Sequence, residues 1–430
     1  HTFNRRDFLL YAGLAGVIIL ALTLRLTYFI GFAGGDPQDD GIYISIAAKI
    51  LNEGLYDHSV QKEMVLSHEM VNPSHIFPSR ILFNYVTALS MSLFGVHDYA
   101  AALFPLLCSL AGILLVYAIG AAFGSKKAGL LGALCLSLLP LDIIYATRIT
   151  PDVPVCFFII LTVFCFLRGM QRSSSLWLFA AGIAAGLGYL VKSTAITAIL
   201  VIALLSAAVW IKERRLPKKV FLVFAGLISI YIIECLYYKL TTDMFFLRTV
   251  LISKVYKIKY AQEWTSFTDR IDFGWAVLKY PADTLFLHTR MLLTMHRHSP
   301  DLHYFGLYYL PVFIAFVWNL IRCTPKRLLV IVWFVVLYLF LECGPLEMSF
   351  NTWPWITYGL IEKQPRYLTV LSGPAALLLG FFLCDLSRRT RSRTILAALT
   401  VIVLAANALH CTRTSYSFIH SHTKELKKAA

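Results

Sequence analysis

Residues 8–56, FLLYAGLAGVIILALTLRLTYFIGFAGGDPQDDGIYISIAAKILNEGLY, decide how the rest of the chain is read. The first part, 8–32, carries a single charge, Arg25. At about 1.5 Å per residue it is long enough to cross a hydrocarbon layer of roughly 30 Å. An acidic turn follows at once, with Asp36, Asp39 and Asp40, and then the apolar residues take a helical period through Ile42, Ile46, Ile50 and Leu51. That short helix is too polar to span a bilayer and apolar enough to lie on one. Carboxylates in such a turn are either solvated loop residues or chemistry held at a membrane surface.

Composition settles the broad class. The 430 residues are 58% hydrophobic and only 15% charged, with a mean hydropathy of +0.69. A soluble chain of this length keeps a largely polar surface and does not need that much apolar sequence. Apolar windows predict an all-α polytopic membrane protein with about eleven spans, near 8–32, 99–123, 127–146, 152–167, 176–190, 194–211, 219–240, 304–321, 327–343, 366–384 and 394–411. The segment 81–95 is too short to cross and is expected at the interface. The run Phe8–Leu24 after Arg5-Arg6 resembles a signal sequence, but its length and the lack of a convincing cleavage site predict an uncleaved first helix.

The net charge of +15 raises nucleic acid as a partner, and its distribution argues against it. Lys126, Lys127, Arg168, Arg172, Lys212, Arg214, Arg215, Lys218, Lys219, Arg322, Lys326, Arg327, Arg388, Arg389, Arg391 and Arg393 all fall between alternate spans, with few acids among them. This is the positive-inside pattern, and it places the N-terminus on the cytoplasmic side. Three segments then face outward within one membrane domain: 33–98 with the acidic motif and interfacial helices, 241–303, and 344–365. The second has amphipathic pieces near 246–260 and 274–295. The third contains Trp353-Pro354-Trp355, an aromatic anchor for the headgroup region. No stretch is long enough for a separate soluble domain, and the tail 412–430 ends outside.

The nine cysteines form no CxxC pair, and Cys108, Cys135, Cys156, Cys165, Cys235 and Cys384 sit inside apolar runs as small hydrophobes. Only Cys343 and Cys411 are placed, at outer helix ends, so that a bridge could form. No cofactor is firmly implied. His296, His298 and His303, or His68 or His75, could hold a divalent cation, though loop histidines are more often plain polar residues. Nucleotide-binding glycine motifs and a Ser-His-Asp arrangement are missing from the sequence.

Ionisable residues recur at the outward helix ends. Asp142, Arg148 and Asp152 bracket the turn in LDIIYATRITPDVP, where Asp152 could simply favour a helix N-terminus. Lys192 interrupts an apolar stretch in GLGYLVKSTAI, either as a snorkelling anchor or as a functional charge. Arg366 opens the tenth span, Arg80 precedes 81–95, and Arg25 requires an acidic partner. Acids can accept a proton from a hydroxyl, and cations can hold a phosphate.

The series DDGIYISIAAKIL (39–51), SRILFNYVTALSMSLFGVHDYAAALFPLLCSLAGILLVYAIG (79–120), YATRITPDVPVCFF (145–158), GLGYLVKSTA (186–195) and PRYLTVLSGPAALLLG (365–380) resembles the GT-C glycosyltransferases. It is most similar to the protein-O-mannosyltransferase and aminoarabinose-transferase-like branch, over residues 8–210 and 366–380. That family carries an Asp-Glu pair followed by Tyr in its first outer loop, and Asp39, Asp40 and Tyr43 stand at those places, with Asp for Glu. The resemblance implies a catalytic role for Asp39, with Asp40 beside it, and a second acidic position at Asp152. Phe77-Pro78-Ser79-Arg80 replaces a Lys-Pro-Pro element that binds lipid phosphate, so Arg80 would substitute for the lysine.

It further implies transfer of a sugar, with inversion, from a polyprenyl-phosphate donor to a lipid, glycan or protein hydroxyl. The reaction would occur on the outer face of a bacterial or archaeal plasma membrane. Tyr43, Arg80, Arg148, Lys192 and Arg366 would bind substrate, the cations holding the phosphate. The competing class is a transporter or flippase for a lipid-linked sugar, which would place such charges along a path through the midplane.

Overall fold

The computed structural model describes residues 5–31, 37–67, 73–214, 218–254, 308–343, 345–352, 355–360, 365–388 and 391–429. The helices are α1 (Arg5–Thr27), α2 (Pro37–Glu53), α3 (Ser59–Leu66), α4 (Ile81–Phe94), α5 (Asp98–Ala101), α6 (Leu103–Phe123), α7 (Lys126–Ser137) and α8 (Pro140–Tyr145). They continue as α9 (Asp152–Arg172), α10 (Ser175–Val191), α11 (Thr197–Glu213), α12 (Phe221–Thr242), α13 (Tyr309–Ile321), α14 (Pro325–Cys343), α15 (Ser372–Ser387) and α16 (Arg391–Ala429). Among the described residues, six helical segments are long and apolar enough to cross a membrane, and four shorter apolar helices accompany them. The chain is an integral, multi-pass membrane protein.

The expected span 127–146 is not one helix. It breaks at Leu138-Leu139 into α7 and α8, and Pro140 opens α8. Proline lacks the amide that would continue the ladder and suits the first helical turn instead. All six residues of α8 are buried, so it enters the bundle and delivers the turn 146–151. The expected span 366–384 likewise begins as a 3-10 turn, Pro365–Leu371, before α15. The tail 412–429 continues the last apolar helix, since α16 runs unbroken to Ala429.

Segment 344–365 holds an antiparallel hairpin, β1 (Pro345–Thr352) with β2 (Trp355–Leu360), in the register Glu347↔Gly359, Met348↔Tyr358 and Ser349↔Thr357. Residues 353–354 within it lie outside the description, as do the piece 274–295 and residues 255–260 of the piece 246–260.

At the centre is α15, of which every residue from Ser372 to Leu386 except Asp385 is buried. Its packing on α7 depends on the absence of side chains. A Cβ on Gly380 would stand 2.6 Å from Ala128 O. The same device joins α10 to α12, where a Cβ on Gly182 would stand 2.0 Å from Val223 O. With no water to expel between helices in lipid, close backbone approach supplies dispersion contact that larger residues would block. Cys411 is a free, buried thiol lying 3.5 Å from Asn407 Oδ1, so the bridge to Cys343 is not formed.

Candidate functional site

The turn after α1 sets the site. Gly31 takes φ +64°, and its amide donates to Thr147 O at 2.8 Å, making a parallel bridge with Arg148. A Cβ there would lie 2.7 Å from Asp98 Cβ, and the left-handed backbone favours glycine as well. This bridge anchors the acidic segment against the turn that α8 delivers.

Asp39 and Asp40 lie in the first turn of α2, not in a loop, and both are buried. The solvated-loop reading is therefore overturned. Arg148 donates to Asp40 Oδ2 from Nη2 at 3.0 Å and from Nε at 3.3 Å. Arg366, at the start of the α15 segment, pairs with Asp39 Oδ2. Asp152 lies in the first turn of α9, with Pro151 as the N-cap, and Lys192 Nζ donates to its Oδ1 at 2.6 Å. A favourable place at the helix N-terminus does not by itself explain the buried lysine partner.

Aromatic rings back each cation. The Arg80 guanidinium lies 4.7 Å from the Phe77 ring centroid and 5.3 Å from that of Tyr43. Lys192 Nζ stands 4.5 Å from the Tyr367 ring, and Arg366 stacks over the same ring at 5.7 Å. Arg148 sits 5.4 Å from Tyr145. Such contacts strengthen when water is excluded. The 3-10 turn Pro73–Ser79 holds Arg80 in place, because Asn84 Nδ2 donates to Phe77 O at 2.9 Å and Ser79 Oγ to Ile76 O at 2.6 Å.

The eight residues expected to take part in catalysis or substrate binding therefore meet at one end of the bundle: Asp39, Asp40, Tyr43, Arg80, Arg148, Asp152, Lys192 and Arg366. Sequence reasoning missed Tyr367, Tyr145 and Asn84. The first two are next to or near chosen cations, which is the only signal they carry.

The three ion pairs are graded in exposure. Side chains of Arg366 and Asp39 are 17% and 10% exposed, those of Lys192 and Asp152 are 11% and 2%, and those of Arg148 and Asp40 are 8% and 0%. The Asp39 pair is thus the one nearest the surface. Around it, Arg366 Nε, Asp152 Oδ2 and the Tyr43 hydroxyl are buried without a hydrogen-bond partner among the described residues. Buried polar atoms are seldom left so, and a polar ligand would satisfy them. A cavity of about 10 Å³, room for roughly one water, lies beside Asp152 and Lys192 against Thr194, Thr197 and Thr369.

Asp142 does not belong to this group. It pairs with Arg25, supplying the acidic partner that Arg25 required. Asp36, His68, His296, His298 and His303 lie outside the described residues, and of His75 only the backbone is described. Among the described residues, no three His, Cys, Asp or Glu side chains gather as a metal would need.

Two kinds of comparison place this arrangement among known proteins. The profile of the dolichyl-phosphate-mannose-protein mannosyltransferase family matches residues 78–238. No curated protein sequence matches the chain. The structure is similar to the archaeal oligosaccharyltransferase AglB from Archaeoglobus fulgidus, solved with an inhibitory peptide and a dolichol-phosphate. That match has 14% identity and a TM-score of 0.61, covering 96% of this chain and 56% of that one. The chain thus spans little more than half the length of the archaeal protein. It is also similar to ArnT from Cupriavidus metallidurans in the apo state, at 14% identity and a TM-score of 0.52, over 95% of this chain and 75% of that one. ArnT bound to undecaprenyl phosphate matches at 16% identity and a TM-score of 0.50, over 91% and 64%. The fold is that of the GT-C glycosyltransferases.

Proposed function

We propose that the chain is a membrane glycosyltransferase that moves a sugar from a polyprenyl-phosphate donor to an acceptor hydroxyl, with Asp39 as the base. The observation that carries this is the Asp39–Arg366 pair. It joins a carboxylate and a guanidinium from opposite ends of the sequence, beside unsatisfied polar atoms and three more cations. The likeness to proteins solved with dolichol-phosphate and undecaprenyl phosphate supports a lipid phosphate as the ligand class.

In this reading the donor phosphate recruits Arg366, together with Arg80 and Lys192, and so releases Asp39. The freed carboxylate takes the proton of the acceptor hydroxyl while its oxygen attacks the anomeric carbon. The bond from that carbon to the phosphate oxygen breaks, and the phosphate leaves with the electron pair. Negative charge grows on the phosphate in that step, where preorganised cations act most strongly. Attack from the face opposite the phosphate inverts the anomeric carbon. Asp152 keeps Lys192 aimed, and Asp40 keeps Arg148 and the α2 turn in place. Tyr43 supplies an open hydroxyl and one of the rings behind Arg80.

The proposed orientation puts this end outside the cytoplasm. In a background free of native thiols, Val60→Cys should react with an impermeant reagent added outside, and Leu216→Cys should not. The decisive assay offers purified protein a panel of polyprenyl-phosphate sugars and reads release of polyprenyl phosphate. Movement of intact donor between leaflets of a vesicle, without any release of carrier phosphate, would replace this reading with that of a flippase.

A further inference from the structure

The opposite end of the bundle carries a second cavity, lined by both charged and apolar side chains, that the transfer reaction does not use. It measures about 440 Å³ and lies where the end of α6, the start of α7, the start of α14 and the end of α15 converge. That size is within the range of small-ligand sites, roughly 300–1,000 Å³. With α15 at 16 residues and about 1.5 Å per residue, it lies some 24 Å from the Asp39 end.

Lys326, Arg327 and Arg388 line it with Ser125, Asp385 and Phe381. A topology signal would need only basic residues in the connecting segments, on any side of them. Here the three cations surround one cavity, and they divide into two kinds. Arg327 is committed: its Nη1 and Nη2 donate to the two oxygens of Asp385 at 2.8 and 2.9 Å, and its guanidinium lies 5.8 Å from the Phe381 ring. Trp318 Nε1 donates to the same carboxylate at 3.1 Å, and Arg322 approaches it at 4.0 Å. Asp385 is therefore saturated. Lys326 and Arg388 are exposed and make no ion pair among the described residues. The first-turn amides of α7 and α14 are already held, Ala128 N by Ser125 Oγ at 3.1 Å and Arg327 N by Thr324 Oγ1 at 3.3 Å, which leaves the side-chain cations to answer a ligand. The balance of charge is positive, and one wall is aromatic.

We propose that this cavity binds a phosphate group at the membrane surface, with Lys326 and Arg388 as its ligands and the Arg327–Asp385 pair as a fixed wall. Two cations beside an aromatic face between helices fit the phosphate of an anionic lipid headgroup or a small phosphate from solution. The inference stands apart from the transferase reading, since neither residue is near Asp39.

Full-length protein would be purified in neutral detergent and titrated with phosphatidylglycerol, phosphatidylcholine and inorganic phosphate, reading bound lipid by native mass spectrometry and melting temperature. Wild type should prefer phosphatidylglycerol to phosphatidylcholine. The Lys326→Gln/Arg388→Gln double variant should bind it about 10²–10⁴-fold more weakly, since two charge-assisted bonds are lost, while melting without added ligand stays unchanged. Stabilisation by inorganic phosphate that disappears in the double variant, with no lipid preference, supports the site with a soluble source. Equal binding of every ligand by wild type and variant, or no binding by either, overturns the proposal.

Discussion

Among the aspartate–arginine pairs that fasten the first fifth of the chain to distant segments, Arg25–Asp142 and Asp39–Arg366 are built differently. Arg25 is wholly buried, and the protein answers it on every side. Its Nε donates to Ser109 Oγ at 2.8 Å, its Nη1 to Ala21 O at 2.9 Å, and its Nη2 to Asp142, whose Oδ2 also accepts from Ser109 at 2.5 Å. Arg366 and Asp39 are partly exposed, and Arg366 Nε lacks a partner among the described residues. Charges within membrane helices are functional candidates by default. The comparison refines that rule: a charge that the protein itself saturates holds the fold, and one left partly unanswered waits for a ligand.

The closed pair should give the largest loss of stability. Arg25→Ala leaves Asp142 buried and uncompensated, which costs about 3–5 kcal/mol, and protein yield and melting temperature in detergent should fall together. A variant that melts like wild type would mean that Arg25 is not a structural tie, and the contrast with Arg366 would collapse.

The open end should respond in function instead. Arg80→Ala or Lys192→Ala each removes a charge-assisted contact to phosphate, about 1.5–3 kcal/mol. Donor affinity or turnover should therefore drop roughly 10–100-fold, with melting little changed for Arg80→Ala. Unaltered kinetics for both variants would make these residues interfacial anchors only.

A smaller effect concerns how the first outer segment is held. His58 is buried among Tyr56, Tyr237 and Tyr238, with Nε2 3.2 Å from the Tyr237 hydroxyl. Burial pushes its imidazole down to about 4, against a weaker upward pull from Asp57 and Gln61. The folded ring is therefore neutral between that value and the unfolded value of roughly 6.5. Across that window the unfolded chain takes up a proton that the folded chain does not, so stability is complete above pH 6.5 and falls as pH drops toward 4. At pH 5 the loss is about 2 kcal/mol. Melting temperature measured from pH 7.5 to 5 should decline, and His58→Phe should flatten the curve; an unchanged slope in that variant would assign the acid sensitivity elsewhere.

Much of the fold was legible because apolar runs of span length allow little else in a bilayer. The site residues were legible as chemistry rather than as pairs. Asp39, Asp152, Lys192 and Arg366 each stand out as ionisable groups at outer helix ends, but nothing in the sequence says that position 366 meets position 39. That pairing depends on the Gly31 bridge and on α8 turning inward, and the expected continuous span 127–146 concealed the second of these, although Pro140 marked the break. The hairpin 345–360 was hidden for another reason. Its aromatic and β-branched residues suit either a strand or an interfacial loop, and Trp353-Pro354-Trp355 favoured the latter. Asp142 lies only ten residues before Asp152, yet position in the bundle, not along the chain, gives it to Arg25.

If the open pair does the chemistry, neutralising its carboxylate must separate donor binding from transfer. Asp39→Asn keeps the size and most of the hydrogen bonding of the carboxylate but cannot take a proton at neutral pH. Single-turnover transfer from a polyprenyl-phosphate sugar, donor binding and melting temperature would be measured on the same purified sample. Wild-type melting and retained donor binding are expected, with a transfer rate lower by about 10²–10⁴-fold. Transfer at the wild-type rate with donor bound would contradict it.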